Sequence, residues 1–133
     1  MSAHPRLRVL LVEDSALLAT RLSELIRRLP DVDLDDVVAT ETDAVERIKA
    51  VAPDVIILDL HLRTGTGFGV LRALARRASR PKVVILTNFG LPEYRREAEQ
   101  FGVEAFLDKS RDYFRIPTLL GEFARNLPSP ATR

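Results

Sequence analysis

Glu13, Asp14, Asp59, Thr87 and Lys109 are the residues of this chain best placed to do chemistry together. Each ends or follows a short apolar run. Leu7–Val12 leads into Glu13 and Asp14, and Val55–Leu58 leads into Asp59. Val83–Leu86 leads into Thr87, and Ala105–Leu107 runs through Asp108 into Lys109. In an open parallel sheet, ligands bind outside the carboxyl ends of the strands. That arrangement predicts three carboxylates, one hydroxyl and one ammonium in a single cleft. Three gathered carboxylates repel one another, which disfavours their charged forms. A hard divalent cation removes that cost. Magnesium uses one or two carboxylates, keeps several waters and bridges to phosphate oxygens. Calcium needs more oxygen ligands, and the chain has no calcium-loop pattern. Asp59 follows the most buried strand and is the candidate nucleophile, since a carboxylate can attack phosphorus and form an aspartyl phosphate. Lys109 is the candidate counter-charge for phosphate, and the Thr87 hydroxyl can donate to a phosphoryl oxygen. Taken singly, these residues read as well as helix caps, a surface lysine and a strand end. The set of five points to phosphoryl transfer.

The elements that must position this set follow from periodicity. Leu7–Val12 reads as a buried strand. Ser15 is a plausible N-cap, and Leu18, Leu22, Leu25, Ile26 and Leu29 recur at helical spacing up to Pro30. Arg21, Ser23, Glu24, Arg27 and Arg28 are expected on the outer face. After an acidic stretch, Asp31–Asp36, a weak second strand is expected over Val37–Ala39. A helical stripe of Ala44, Val45, Ile48 and Val51 closes at Pro53. Val55–Leu60 is the strongest strand. The segment Arg63–Gly69, with three glycines, reads as a mobile loop entering a helix. There Val70, Leu71 and Leu74 face inward and Arg72, Arg76 and Arg77 face water. Val83–Leu86 is the fourth strand. Pro92 suits the first residue of a short helix that ends at Gly102. Ala105–Leu107 is the fifth strand. Pro117 is unsuited to a helix interior, so a turn over Arg111–Phe114 and a last helix from near Pro117 are predicted. Tyr94, Phe101, Tyr113 and Phe114 are expected as core or half-buried packing. Alternating strands and helices imply right-handed crossovers and a parallel sheet covered on both faces. The fold class is α/β: a flavodoxin-like (βα)5 doubly wound sheet with strand order 2-1-3-4-5.

Composition narrows the function classes. A chain of 133 residues with 46% hydrophobic residues suits one domain with an ordinary core. It is expected over residues 6–127, with loose ends at 1–5 and 128–133. There is no cysteine, and only His4 and His61 are present, which excludes disulfides and the common zinc sites. A net charge of +1 gives no electrostatic case for nucleic acid. The basic cluster Arg72–Arg80 reads as a helix end, where cations are favoured. No apolar run is long enough to span a bilayer, and Met1–Arg8 lacks a hydrophobic signal region, so a cytoplasmic protein is expected.

The motifs VLLVED at Val9–Asp14, VIILDL at Val55–Leu60, VVILTN at Val83–Asn88 and AFLDK at Ala105–Lys109 together resemble the response-regulator receiver domain of two-component signalling. The resemblance runs from Leu7 to about Leu127. It implies that Asp59 accepts a phosphoryl group from a histidine kinase or phosphotransfer protein. It implies Mg2+ at Asp14 and Asp59, with Glu13 helping through water and His61 offering its backbone carbonyl. Thr87 and Lys109 would bind the phosphoryl oxygens, and Phe106 stands where the family carries its switching aromatic, usually a Tyr or Phe. His61 and Phe89 occupy positions that in the family flank the phosphate and affect its lifetime. Two departures stand out. Ser110 follows Lys109 where the family commonly has a cis-proline, so the approach of Lys109 is expected to be held differently. The loop after Asp59 carries Gly65, Gly67 and Gly69 where proline-glycine is frequent.

The expected function is a stand-alone receiver that switches its affinity for a protein partner, assists its own phosphorylation and dephosphorylation, and is not a turnover enzyme. A monomer or weak dimer is expected, and the surface carried by the fourth and fifth units is the expected output face. The alternatives are a receiver trimmed from a longer regulator and a pseudo-receiver acting without phosphorylation. A flavodoxin would need a glycine-bearing phosphate loop where this chain has EDSALL. An aspartyl phosphatase would need an acid where it has His61.

Overall fold

The structure is a computed structural model that describes residues 5–88 and 90–128. Its strands are β1 (Leu7–Val12), β2 (Val32–Val38), β3 (Val55–Leu58), β4 (Lys82–Thr87) and β5 (Ala105–Asp108). They pair in parallel in the order β2-β1-β3-β4-β5, as the alternation of elements predicts. The helices are α1 (Ala16–Arg27), α2 (Glu41–Val51), α3 (Gly67–Ala75), α4 (Pro92–Gln100) and α5 (Ile116–Arg125). A single 3-10 turn, Tyr113–Arg115, precedes α5 and admits Pro117 within its first turn.

Side chains alternate across a strand, and the apolar strands are buried on both faces. Leu10, Val12, Ile56, Leu58, Ile85 and Phe106 pack against Ala44 and Ile48 of α2, Val70, Leu71 and Leu74 of α3, and Ala98 of α4. On the other face, Leu7, Val9, Leu11, Val55, Ile57, Val84, Leu86 and Leu107 pack against Leu22 and Ile26 of α1 and Ile116 and Leu120 of α5. Crossovers on both faces leave the carboxyl ends of β1, β3, β4 and β5 along one rim. Hydroxyl caps start three of the helices: Ser15 accepts from the Leu18 amide at 3.3 Å, Thr40 from Asp43 at 3.1 Å and Thr66 from Gly69 at 3.1 Å.

Several sequence expectations are corrected. The second strand is not confined to Val37–Ala39 but runs over Val32–Val38, through the acidic stretch. Its register slips between Val9 and Leu10 of β1, leaving Asp35 as the bulged residue. Asp35 accepts two hydrogen bonds from Arg47 of α2, at 2.8 and 2.9 Å. An edge strand tolerates such charge, which also discourages pairing with another chain. Ser23 is buried rather than outward, its hydroxyl donating to the Ala19 carbonyl at 2.6 Å. Arg77 is half-buried. Tyr113 and Phe114 are exposed, at 36% and 66%, and are not core. The loop after β3 ends at Thr66, so Gly67 and Gly69 lie buried in the first turn of α3. Residues 1–4 and 129–133, expected as loose ends, and Phe89 lie outside the described residues.

Candidate functional site

Carboxylate oxygens of Glu13, Asp14 and Asp59 lie within 4.8 Å of one another at the ends of β1 and β3. Glu13 and Asp59 are buried, and Asp14 is half-exposed. Lys109 reaches across from the end of β5. Its Nζ donates to Asp59 Oδ2 at 2.7 Å and lies 2.8 and 2.9 Å from the two carboxylate oxygens of Glu13. The Ser15 amide also donates to Glu13 Oε2, at 2.9 Å, and the His61 amide to Asp59 Oδ1 at 3.2 Å. Burial pushes the Glu13 carboxyl above its ordinary range, and the Lys109 bond only partly offsets this. Burial alone would lower the Lys109 ammonium, but its bonds to Asp59 and Glu13 outweigh that and hold it above its ordinary value. The site is a buried negative cluster with one ammonium in its middle.

Thr87 is fully buried at the last position of β4, and its backbone carbonyl accepts from the Lys109 amide at 3.1 Å. Alternation places Thr87 on the same sheet face as Ile85, which pairs in register with Phe106. Phe106 is 8% exposed and points inward, with the Arg95 guanidinium 4.7 Å from its ring centroid. His61 is exposed and sits in a bridge with Thr66. The structure thus gathers Glu13, Asp14, Asp59 and Lys109, with the Thr87 backbone bonded to that of Lys109 and the His61 amide to Asp59.

Sequence reasoning missed what holds Lys109. No cis peptide bond occurs among the described residues. Asp108 Oδ1 instead accepts from the Ser110 amide at 2.8 Å, the Ser110 hydroxyl at 2.6 Å and the Arg111 amide at 3.1 Å. Those bonds, the Ser110 hydroxyl first, hold the Asp108 carboxyl below its ordinary range. Asp112 Oδ2 accepts from the Asp108 amide at 3.0 Å and closes the turn. The signal was available: Asp and Ser two residues apart favour a side-chain-closed turn. Glu41 was also missed. Its Oε1 accepts from the Thr66 amide at 3.0 Å, from 25 residues away. No local pattern marks that contact.

Known proteins share this fold. The family model for the response regulator receiver domain matches residues 9–120. A protein-glutamate methylesterase/protein-glutamine glutaminase of Myxococcus xanthus is 37% identical over 114 residues, covering 86% of this chain and 31% of that relative. The regulatory protein LuxO of Vibrio cholerae is 35% identical over 106 residues, covering 80% of this chain and 23% of that relative. The chain therefore spans about a third or less of the length of these curated relatives. Among solved structures, the signal receiver domain of a putative LuxO repressor from Vibrio parahaemolyticus superposes with a TM-score of 0.80 at 33% identity, covering 90% of this chain and 91% of that one. With the family match spanning most of its length and the same five-stranded order, this chain belongs to the response regulator receiver domain family of two-component systems.

Proposed function

We propose that this receiver takes a phosphoryl group onto Asp59 from a histidine kinase or phosphotransfer protein and thereby changes its affinity for a protein partner. The observation that carries the reading is Lys109 Nζ held between Asp59 and Glu13, within an acidic cluster able to hold a divalent cation. Glu13, Asp14, Asp59 and the His61 backbone carbonyl would hold Mg2+. That ion would offset the clustered negative charge and neutralise phosphoryl oxygens. An Asp59 oxygen attacks phosphorus, and the bond from phosphorus to the donor nitrogen breaks. An acyl phosphate forms on Asp59, and the donor imidazole keeps the bonding pair. Lys109 then exchanges its carboxylate contact for a phosphoryl oxygen, and the Thr87 hydroxyl donates to another. Movement of Thr87 makes room on the sheet face it shares with Phe106, and the surface of α4, β5 and α5 changes as output. Folding as one unit over 6–127 belongs to the same proposal, supported by β1 opening at Leu7 and α5 closing at Arg125.

Acetyl phosphate with magnesium, followed by intact-mass measurement, tests the reading. Wild type should gain one phosphoryl group, and Asp59→Asn none. No gain in wild type, with the fold intact, would favour an interaction module that works without phosphorylation.

A further inference from the structure

The loop between β3 and α3 carries the backbone that presents Asp59, and one side chain from elsewhere holds it. Glu41 is the first residue of α2. Its carboxylate accepts from the Thr66 amide at 3.0 Å, and its own amide donates to the Thr64 carbonyl at 3.0 Å. The neighbouring Arg63 amide donates to the Ala39 carbonyl at 3.0 Å. The β2–α2 and β3–α3 loops are therefore laced together at three points. Two glycines make room for the lacing. A Cβ on Gly69 would occupy the Glu41 carboxylate, and one on Gly65 would strike the Glu41 side chain. The opposite side of the same helical turn rests on the site. The Gly67 amide donates to the Leu60 carbonyl at 2.9 Å, and a Cβ at Gly67 would strike the Asp59 carbonyl oxygen. Thr66 bridges to His61, whose amide donates to Asp59 Oδ1 at 3.2 Å. The first turn of α3 is thus clamped between Glu41 and the Asp59–His61 backbone. A carboxylate is also favoured electrostatically at that helix end.

We infer that Glu41 is a positioning residue for the phosphoacceptor site: its carboxylate holds residues 61–66 so that the His61 carbonyl and amide stay set for the metal and for Asp59. The inference rests on the phosphoacceptor reading for its metal. Freed from Glu41, the loop keeps its sequence but loses the fixed placement of the His61 backbone. A residue that supports a metal ligand affects metal affinity much as a partner hydrogen-bonded to the ligand does.

The test compares wild type, Glu41→Ala, Glu41→Gln and Gly69→Ala by magnesium titration, by hydrogen exchange at the Thr66 amide and by urea unfolding. Glu41→Ala should raise the magnesium dissociation constant about tenfold and speed Thr66 exchange beyond any change in global stability. Gly69→Ala displaces the carboxylate without removing it and should do the same. Glu41→Gln keeps a side-chain oxygen to accept from Thr66 and should stay near wild type in both. A role in stability alone would lower the urea midpoint and leave magnesium affinity unchanged, which overturns the inference. Unchanged Thr66 exchange in folded Glu41→Ala or Gly69→Ala overturns it as well. If wild type binds no magnesium, the phosphoacceptor reading falls, and Thr66 exchange still decides whether Glu41 holds the loop.

Discussion

Lys109 is one ammonium serving two buried carboxylates, and the energetics of the site follow from that imbalance. Removing one partner of a buried ion pair leaves an uncompensated charge and costs more than the pair's net worth. Lys109→Ala should therefore destabilise the protein by about 3 kcal/mol in chelator, measured by urea unfolding, and excess magnesium should recover part of the loss. An equal loss with and without magnesium would place the metal elsewhere. Glu13 adds a pH signature. Its folded pKa lies above the ordinary 4.5, so the native state keeps a proton that the unfolded chain releases. This group's contribution to stability falls as pH rises from about that ordinary value through the folded one, and is flat above. Glu13→Gln cannot titrate. The stability of wild type relative to the variant should drop across that window in metal-free buffer, whereas a rise would reverse the assigned sign. Phe106 shows what side-chain identity alone conceals. The missing hydroxyl suggests a ring placed by packing only, yet Arg95 lies over its face. A cation there is worth about 0.5–1 kcal/mol at an exposed site. Arg95→Ala should loosen the inward ring, seen as faster Phe106 ring flips by NMR.

At the scale of elements, apolar runs and their spacing made most of the fold legible. Leu7–Val12 and Val55–Leu58 are apolar enough to be read directly as central strands. β2 was not, because aspartates disfavour strands in general and an edge position with a bulge is what makes them acceptable. The glycine-rich loop misled for a related reason. Gly67 and Gly69 read locally as freedom, but each is small so that another part of the chain can approach it. Tyr113 and Phe114 were assigned to packing by residue type, and they lie exposed on the 3-10 turn before α5. The end of α2 carries a separate expectation. Ala52 caps it in the left-handed region, at φ 46°. Such a conformation costs a residue with a Cβ about 1–2 kcal/mol, offset by the greater backbone entropy that glycine loses. Ala52→Gly should thus be neutral to stabilising by up to about 1 kcal/mol in urea unfolding. A clear destabilisation would contradict the assigned backbone.

For the whole molecule, the proposed phosphorylation at the strand ends has to be felt at a distant surface if it is to change affinity for a partner. A phosphoryl group shifts a two-state equilibrium only by its differential interaction with the two states. On the proposed reading Thr87 feels that difference: it is buried at the end of β4 on the face that Phe106 shares. Thr87→Ala should still be phosphorylated, since nucleophile and metal site remain, yet show weakened chemical-shift changes over residues 88–120. A full wild-type pattern in the variant would route the switch through the β3–α3 loop instead. All of this presupposes that Asp59 is the acceptor, and reductive trapping reads that directly. Borohydride converts an aspartyl phosphate to homoserine, because hydride reduces the acyl carbon and phosphate leaves. After treatment with acetyl phosphate and magnesium, peptide mass mapping should place homoserine at residue 59 alone. Homoserine at Asp14 or another carboxylate, or none in a folded, magnesium-loaded protein, would contradict the account.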